Sequence, residues 1–154
     1  MRSLIRSRLS DYRIWSKRTF IQIITDISEH LAKYLKVLAE FGEVAIVCDH
    51  KFINKKQGDD SPKALGISAL ITDAYGVQTD ILLAYIPVNS STNLFTVPLL
   101  EEVLMEFQLW DAFKKSKIAF SVDYAMSMTV NQLFRNNGLE PLVTICQVSN
   151  FYPL

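Results

Sequence analysis

Two aspartates stand where a metal site on a β-sheet would need them. Asp49 follows the unbroken apolar run Val44-Ala45-Ile46-Val47-Cys48, and Asp123 follows the run from Lys117 to Val122. If those runs are neighbouring strands, the two carboxylates converge at one edge of the sheet. Facing carboxylates repel unless a cation or proton sits between them. Mg²⁺ ions (or Mn²⁺) held in this way activate an attacking oxygen and stabilise a leaving oxygen in phosphodiester chemistry. The signal is unspecific by itself. An Asp after a buried strand more often caps a turn or the next helix, and spacing alone gives the metal reading the smaller share.

Other candidates weigh less. His50, beside Asp49, reads as a loop residue rather than a ligand, and His30 as an exposed helix residue. Asp59, Asp60, Asp73 and Asp80 fall in predicted loops and turns, where Asp bonds the local backbone. Cys146 has no second cysteine or histidine at metal spacing. Trp15 and Trp110, at predicted helix ends, read as packing residues. No Gly-rich phosphate loop, nucleophile elbow or zinc-finger spacing is present in the sequence.

The elements that would carry the two acids follow from periodicity. Phe20, Ile24, Ile27, Leu31, Tyr34 and Leu38 recur at steps of three and four, which predicts a helix from about Ser16 to Phe41 with those residues as its apolar stripe. Gly42 supplies its stop. The first strand, apolar on both sides, belongs in the middle of a covered sheet and ends at Asp49. Asn54 to Pro62 is polar and reads as a loop. Leu65, Ile67, Ala69 and Ile71 alternate along a second strand. Asp73 to Gly76 turns the chain, and Ile81 to Ile86 returns as the other arm of a hairpin closed by Pro87. Asn89 to Asn93 is a predicted loop. Pro98 is expected in the first turn of a helix that buries Leu100, Val103, Leu104 and Phe107, with Glu101 and Glu102 near its positive end. Lys117 to Val122 is the fourth strand. Ala125 to Asn136 forms a helix burying Met126, Val130 and Leu133 and stopped at Gly138, and Leu142 to Cys146 is a last strand. The order is a helix and then β-β-β-α-β-α-β, which predicts an α/β domain with a mixed sheet under helical cover. The domain division is expected at 1–42 for the helical segment and 43–154 for the sheet domain.

Composition narrows the class. The 154 residues suffice for one domain with a real core, in line with an apolar share of 49%. Sixteen basic residues balance sixteen acidic ones, so total charge gives no argument for nucleic-acid or membrane binding. Residues 1–18 are locally basic, with Arg2, Arg6, Arg8, Arg13, Lys17 and Arg18 against Asp11 alone. A solvated basic helix end is favoured there over a phosphate-contacting arm. Cys48 and Cys146 sit in apolar runs and read as buried free thiols, which fits a reducing compartment. No apolar run approaches the ~20 residues of a membrane span, and no signal core opens the chain. A soluble, intracellular protein is expected.

Taken together, residues 16–150 resemble the first part of the RNase H-like catalytic domain of hAT-type DNA transposases. Ser16-Lys17-Arg18-Thr19-Phe20 resembles the segment opening the helix before that family's first strand. Val44 to Asp49 resembles the strand that carries its first catalytic acid. The hairpin ending in Leu82-Leu83-Ala84-Tyr85-Ile86-Pro87 is similar to its second and third strands. Leu109-Trp110-Asp111 followed by Ile118 to Asp123 resembles the approach to the second acid, and in Asp123-Tyr124-Ala125-Met126-Ser127-Met128 the acid, Ala125 and Met128 fit the family signature. The resemblance implies an RNase H-like mixed sheet, Asp49 and Asp123 as catalytic metal ligands, Mg or Mn as cofactor, DNA as partner and a nuclear location.

The departures carry expectations too. Tyr124 and Ser127 stand where the family usually has Asn. Cys146-Gln147-Val148-Ser149 lacks the His of a Cys-x-x-His motif, and His50-Lys51 replaces a Gly-Trp-like pair. The family's third acid, usually Glu, follows a large helical insertion that has no counterpart before Leu154, and no BED-type zinc finger precedes the helix. The chain is therefore expected to be an incomplete or domesticated domain, inactive alone. Two rivals stand beside that expectation. One is a non-catalytic module for nucleic acid or protein, using residues 16–41 to meet a partner helix or a second copy. The other is a small nuclease completed by Asp73, Asp80 or a nearby Glu.

Overall fold

The computed structural model describes residues 17–52, 63–88 and 92–145. The expectations for the first sixteen residues, for the polar loop Asn54 to Pro62 and for Cys146 onward lie outside them. The first element is the helix α1 (Lys17–Glu40). The chain divides into two compact units, Met1–Leu31 and Ala32–Leu154.

In the first unit, α1 satisfies its polar side chains locally. Gln22 Nε2 donates to Asp26 Oδ1 at 2.9 Å, and Thr25 Oγ1 donates to the Ile21 carbonyl at 3.0 Å. His30 is exposed, as expected, with Nδ1 2.7 Å from the Asp26 carbonyl. In the second unit the helix ends as its sequence predicts. Gly42 takes φ +75°, its N–H bonds the Ala39 carbonyl, and the Glu43 N–H bonds that of Leu38. Those two bonds satisfy carbonyls that a helix end leaves open.

The buried positions of α1 lie beside the apolar stripe rather than on it. Ala32, Leu35 and Ala39 are buried, whereas Ile24, Ile27 and Tyr34 are at least half exposed and Leu31 and Leu38 are intermediate. Two of the three buried positions are alanines. Small residues allow close approach but weigh little in a hydrophobicity pattern.

Beyond α1 the chain forms a five-stranded mixed sheet in the order β3-β2-β1-β4-β5, from β1 (Val44–Phe52), β2 (Lys63–Thr72), β3 (Gln78–Val88), β4 (Ala119–Val122) and β5 (Val143–Ile145). β1 pairs antiparallel with β2 and parallel with β4; β2–β3 is antiparallel and β4–β5 parallel. The first strand is central, as its two-sided apolar run predicts. Leu65, Ile67, Ala69 and Ile71 are all buried on one face of β2, beside Ile46, Cys48, Phe120 and Val122.

Three strand expectations are corrected. β1 does not end at Asp49. The parallel ladder to β4 stops at Cys48, but the antiparallel ladder to β2 continues through Asp49↔Gly66 to Phe52↔Lys63. β3 runs through Pro87 to Val88, with a register shift opposite Ile67/Ser68. It is an edge strand, where a missing N–H costs no ladder bond. Asp80, expected in a loop, lies within β3. The turn before it is as expected: Asp73 Oδ1 accepts from the Tyr75 and Val77 N–H groups at 2.9 and 2.8 Å.

The remaining helices are α2 (Asn93–Glu106), α3 (Trp110–Lys114) and α4 (Tyr124–Asn136). α2 starts five residues before Pro98, which is therefore inside the helix, and Glu101 and Glu102 fall beyond its first turn. Pro98 withholds the N–H that would bond the Leu94 carbonyl. Leu94 itself is 77% exposed. The predicted apolar positions Leu100, Val103 and Leu104 of α2, Phe107 at its C-cap, and Met126, Val130 and Leu133 of α4, are all buried.

The core centres on three fully buried aromatics. Phe113, Phe120 and Phe134 meet edge to face with ring centroids 5.0–6.2 Å apart. Burying each ring stabilises by about 1.5–3 kcal/mol, and the edge-to-face geometry adds roughly 0.5–1.5 kcal/mol per pair. Trp110 is a packing residue against Phe113, 5.2 Å between centroids, with Lys114 Nζ over its ring. Thr129 Oγ1 donates to Asn93 Oδ1 at 2.6 Å and ties α4 to the start of α2. No helix among the described residues is long and apolar enough to cross a membrane.

Candidate metal centre

The parallel register of β1 and β4 decides where the two acids fall. Its last paired residues are Cys48 and Val122, and Asp49 and Asp123 come next on their respective chains. Asp123 is still extended, with φ −73° and ψ 172°. Strand alternation puts it on the face of Ser121, as it puts Asp49 on the face of Val47, opposite the buried Cys48 and Val122. Both acids are half-buried. Their charges are felt by the same neighbour. Burial pushes the Cys48 thiol up to about 12, and the carboxylates of Asp123 and then Asp49 push in the same direction. Cys48 is thus a buried, protonated free thiol, as its apolar run predicts.

Each acid also has a structural role or setting that needs no metal. Asp123 is the N-cap of α4: its Oδ1 accepts from the Met126 N–H at 2.7 Å. Such a cap is worth about 1 kcal/mol. Oδ1 keeps a second lone pair and Oδ2 is a further acceptor, so capping and cation binding are compatible. Asp49 lies in one lateral row with Gly66 and Tyr85. A Cβ on Gly66 would lie 3.8 Å from the Asp49 carbonyl oxygen and 4.0 Å from Tyr85 Cδ2. Both are ordinary van der Waals distances, so the ring of the half-exposed Tyr85 lies against the Gly66 position. Sequence reasoning passed over this row. The Gly inside a strand pattern was the available signal.

His50 is part of β1, not of a loop. Its Nε2 is buried without a hydrogen-bond partner. Burial lowers the imidazole pKa; the carboxylates of Asp49 and Asp123 oppose that shift and Lys63 adds to it. Burial thus favours the neutral imidazole.

The alternative third acids are not brought here. Asp80 pairs with Leu70, which pairs with Ala45, four residues down β1 from Asp49. At about 3.3 Å per residue that is roughly 13 Å away. Asp73 lies still farther along, occupied by its own turn. A cleft of about 490 Å³ at that opposite end is lined by Val44, Thr72, Asp73 and Lys117 among others and contains neither Asp49 nor Asp123. Among the described residues, no group of three His, Cys, Asp or Glu side chains is arranged to hold a metal ion.

Carboxylate oxygens are the donors that hard divalent cations take, and two from adjacent strand ends suit Mg²⁺ in chemical type. They fall short in number, since such an ion would then draw most of its shell from water or substrate. Compared with protein-family models and with curated proteins, the sequence matches none.

Proposed function

We propose that residues 43–154 form an RNase H-like domain of the hAT-transposase kind, related to metal-dependent DNA cleavage and strand transfer and inactive by itself. The observation that carries this reading is the register: Asp49 and Asp123 follow the last paired residues of two adjacent parallel strands. The strand order β3-β2-β1-β4-β5, with only β2 reversed, supports it as the layout the resemblance implies. Asp49 and Asp123 would hold Mg²⁺ or Mn²⁺. The ion supplies activation of an attacking oxygen and stabilisation of a leaving oxygen. The protein's own part is to fix the two carboxylates, one through the β1–β2 ladder and one through the α4 cap. DNA is the proposed partner and the nucleus the proposed location, both from the resemblance alone.

Two protein carboxylates make a weak site, which is why this chain is read as inactive alone. Calorimetric titration with Mg²⁺ tests the reading: weak binding is expected, lost in Asp49→Ala. Binding that survives Asp49→Ala overturns it. A second reading, a non-catalytic module that keeps the fold, is favoured by the capping bond of Asp123, which accounts for that acid without any metal. In that reading α1 offers its exposed stripe to a partner helix or a second copy.

A further inference from the structure

The lateral row that holds Asp49 also holds an exposed aromatic ring. Asp49 pairs with Gly66 and Gly66 with Tyr85, so the three share one face of the sheet. Gly66 puts no side chain between the other two. The Tyr85 ring lies in over β2, with its Cδ2 4.0 Å from where a Gly66 Cβ would stand. Tyr85 is nonetheless 52% exposed, so much of the ring meets solvent. Two interstrand steps separate it from Asp49, about 10 Å between backbones. On the other side of Asp49, Asp123 ends the neighbouring strand. One row down the same face, the half-buried Ser68 and Ser121 flank Val47.

These groups match the parts of one nucleotide, and their spacing is on that scale. A divalent ion between carboxylates takes phosphate oxygens, and serine hydroxyls bond phosphate or sugar. An open tyrosine ring stacks on a base whatever its sequence. The base must be unpaired, because inside a duplex it is already stacked and out of reach. Other tyrosines are more exposed but lack this placement. Tyr75, 93% exposed, sits in the Asp73–Gly76 turn at the opposite end of the sheet, and Tyr124, 78% exposed, opens α4 outside the strand rows.

We propose that Tyr85 is the base-stacking platform for a single DNA strand whose phosphate lies at Asp49 and Asp123, so that the site takes an unpaired strand. The proposal rests on the metal reading above and names the substrate class of that site. Fluorescence anisotropy of a short labelled oligothymidylate, with the full chain in Mg²⁺, tests it. Tyr85→Ala should weaken binding about five- to 150-fold, the worth of one stacked base. Tyr85→Phe, which keeps the ring, and Tyr75→Ala should bind as the parent does. A strand carrying iodouracil should cross-link to Tyr85 on irradiation, which a ring that merely covers Gly66 would not do. Mg²⁺ binding measured without DNA should be equal in Tyr85→Ala and the parent, so failure of the metal site and failure of the platform are read apart. No binding of the oligonucleotide, equal binding by Tyr85→Ala, or equal affinity for the same strand paired with its complement would each overturn the proposal.

Discussion

Cys48 and Val122 are the last residues paired between β1 and β4, and each is followed directly by an aspartate. The parallel ladder thus brings Asp49 and Asp123 level at the ends of adjacent strands, at different stages of structural commitment. Asp49 is still held by the antiparallel ladder to β2, while Asp123 has left the sheet and caps α4.

The double duty of Asp123 separates structure from chemistry. Asp123→Asn keeps a side-chain oxygen for the Met126 N–H and should leave stability nearly unchanged. Asp123→Ala removes the cap and should cost about 1 kcal/mol in urea unfolding. Both should abolish divalent-ion binding. If Asp123→Asn binds Mg²⁺ as the parent does, Asp123 is a cap only.

Phe120 stands between the sheet and the helices that cover it, in edge-to-face contact with both Phe113 and Phe134. Phe120→Ala should destabilise by about 3–5 kcal/mol, from lost burial and the cavity left behind. Chemical denaturation reads this directly. A loss below roughly 1 kcal/mol would mean that the aromatic cluster is not the centre of the core.

Glu40 joins the end of α1 to the segment before β4. Its carboxylate accepts from Lys115 Nζ and Lys117 Nζ, both at 2.9 Å. The Lys117 and then the Lys115 hydrogen bond hold its pKa below the usual carboxylate range. A carboxyl depressed in the folded state contributes stability above its unfolded pKa and loses it as pH falls through the folded one. Glu40→Gln should therefore lower the urea midpoint slightly near neutrality and have no effect in strong acid. Solvent exposure keeps the difference small. An effect that grows in acid would contradict this sign.

Much of the fold was legible because strong local signals agree with the tertiary answer. The two-sided apolar run of β1, the alternation of β2, the Asp73–Gly76 turn and the stops at Gly42 and Gly138 each have one stable use. The misreadings share a cause in what pairing and solvation permit. Pro98 looked like a helix start because a proline inside a helix is costly, yet the helix begins five residues earlier, at Asn93. Asp49 looked like a strand end because the apolar run stops there, yet β2 carries the strand on to Phe52. In the site, the two acids were visible as residues that follow apolar runs. Their convergence was expected only on the condition that the two runs are neighbours, and that condition rests on pairing between strands more than 70 residues apart in sequence. The Gly66–Tyr85 row beside Asp49 was hidden for the same reason.

Paramagnetic Mn²⁺ added to the isotope-labelled protein offers the most direct test of a shared carboxylate site. The amide signals of residues 48–50 and 122–124 should broaden together at low Mn²⁺, and both sets should recover in Asp49→Asn as well as in Asp123→Asn. Broadening centred elsewhere, or broadening near Asp123 that persists in Asp49→Asn, would show that the two aspartates do not act as one site.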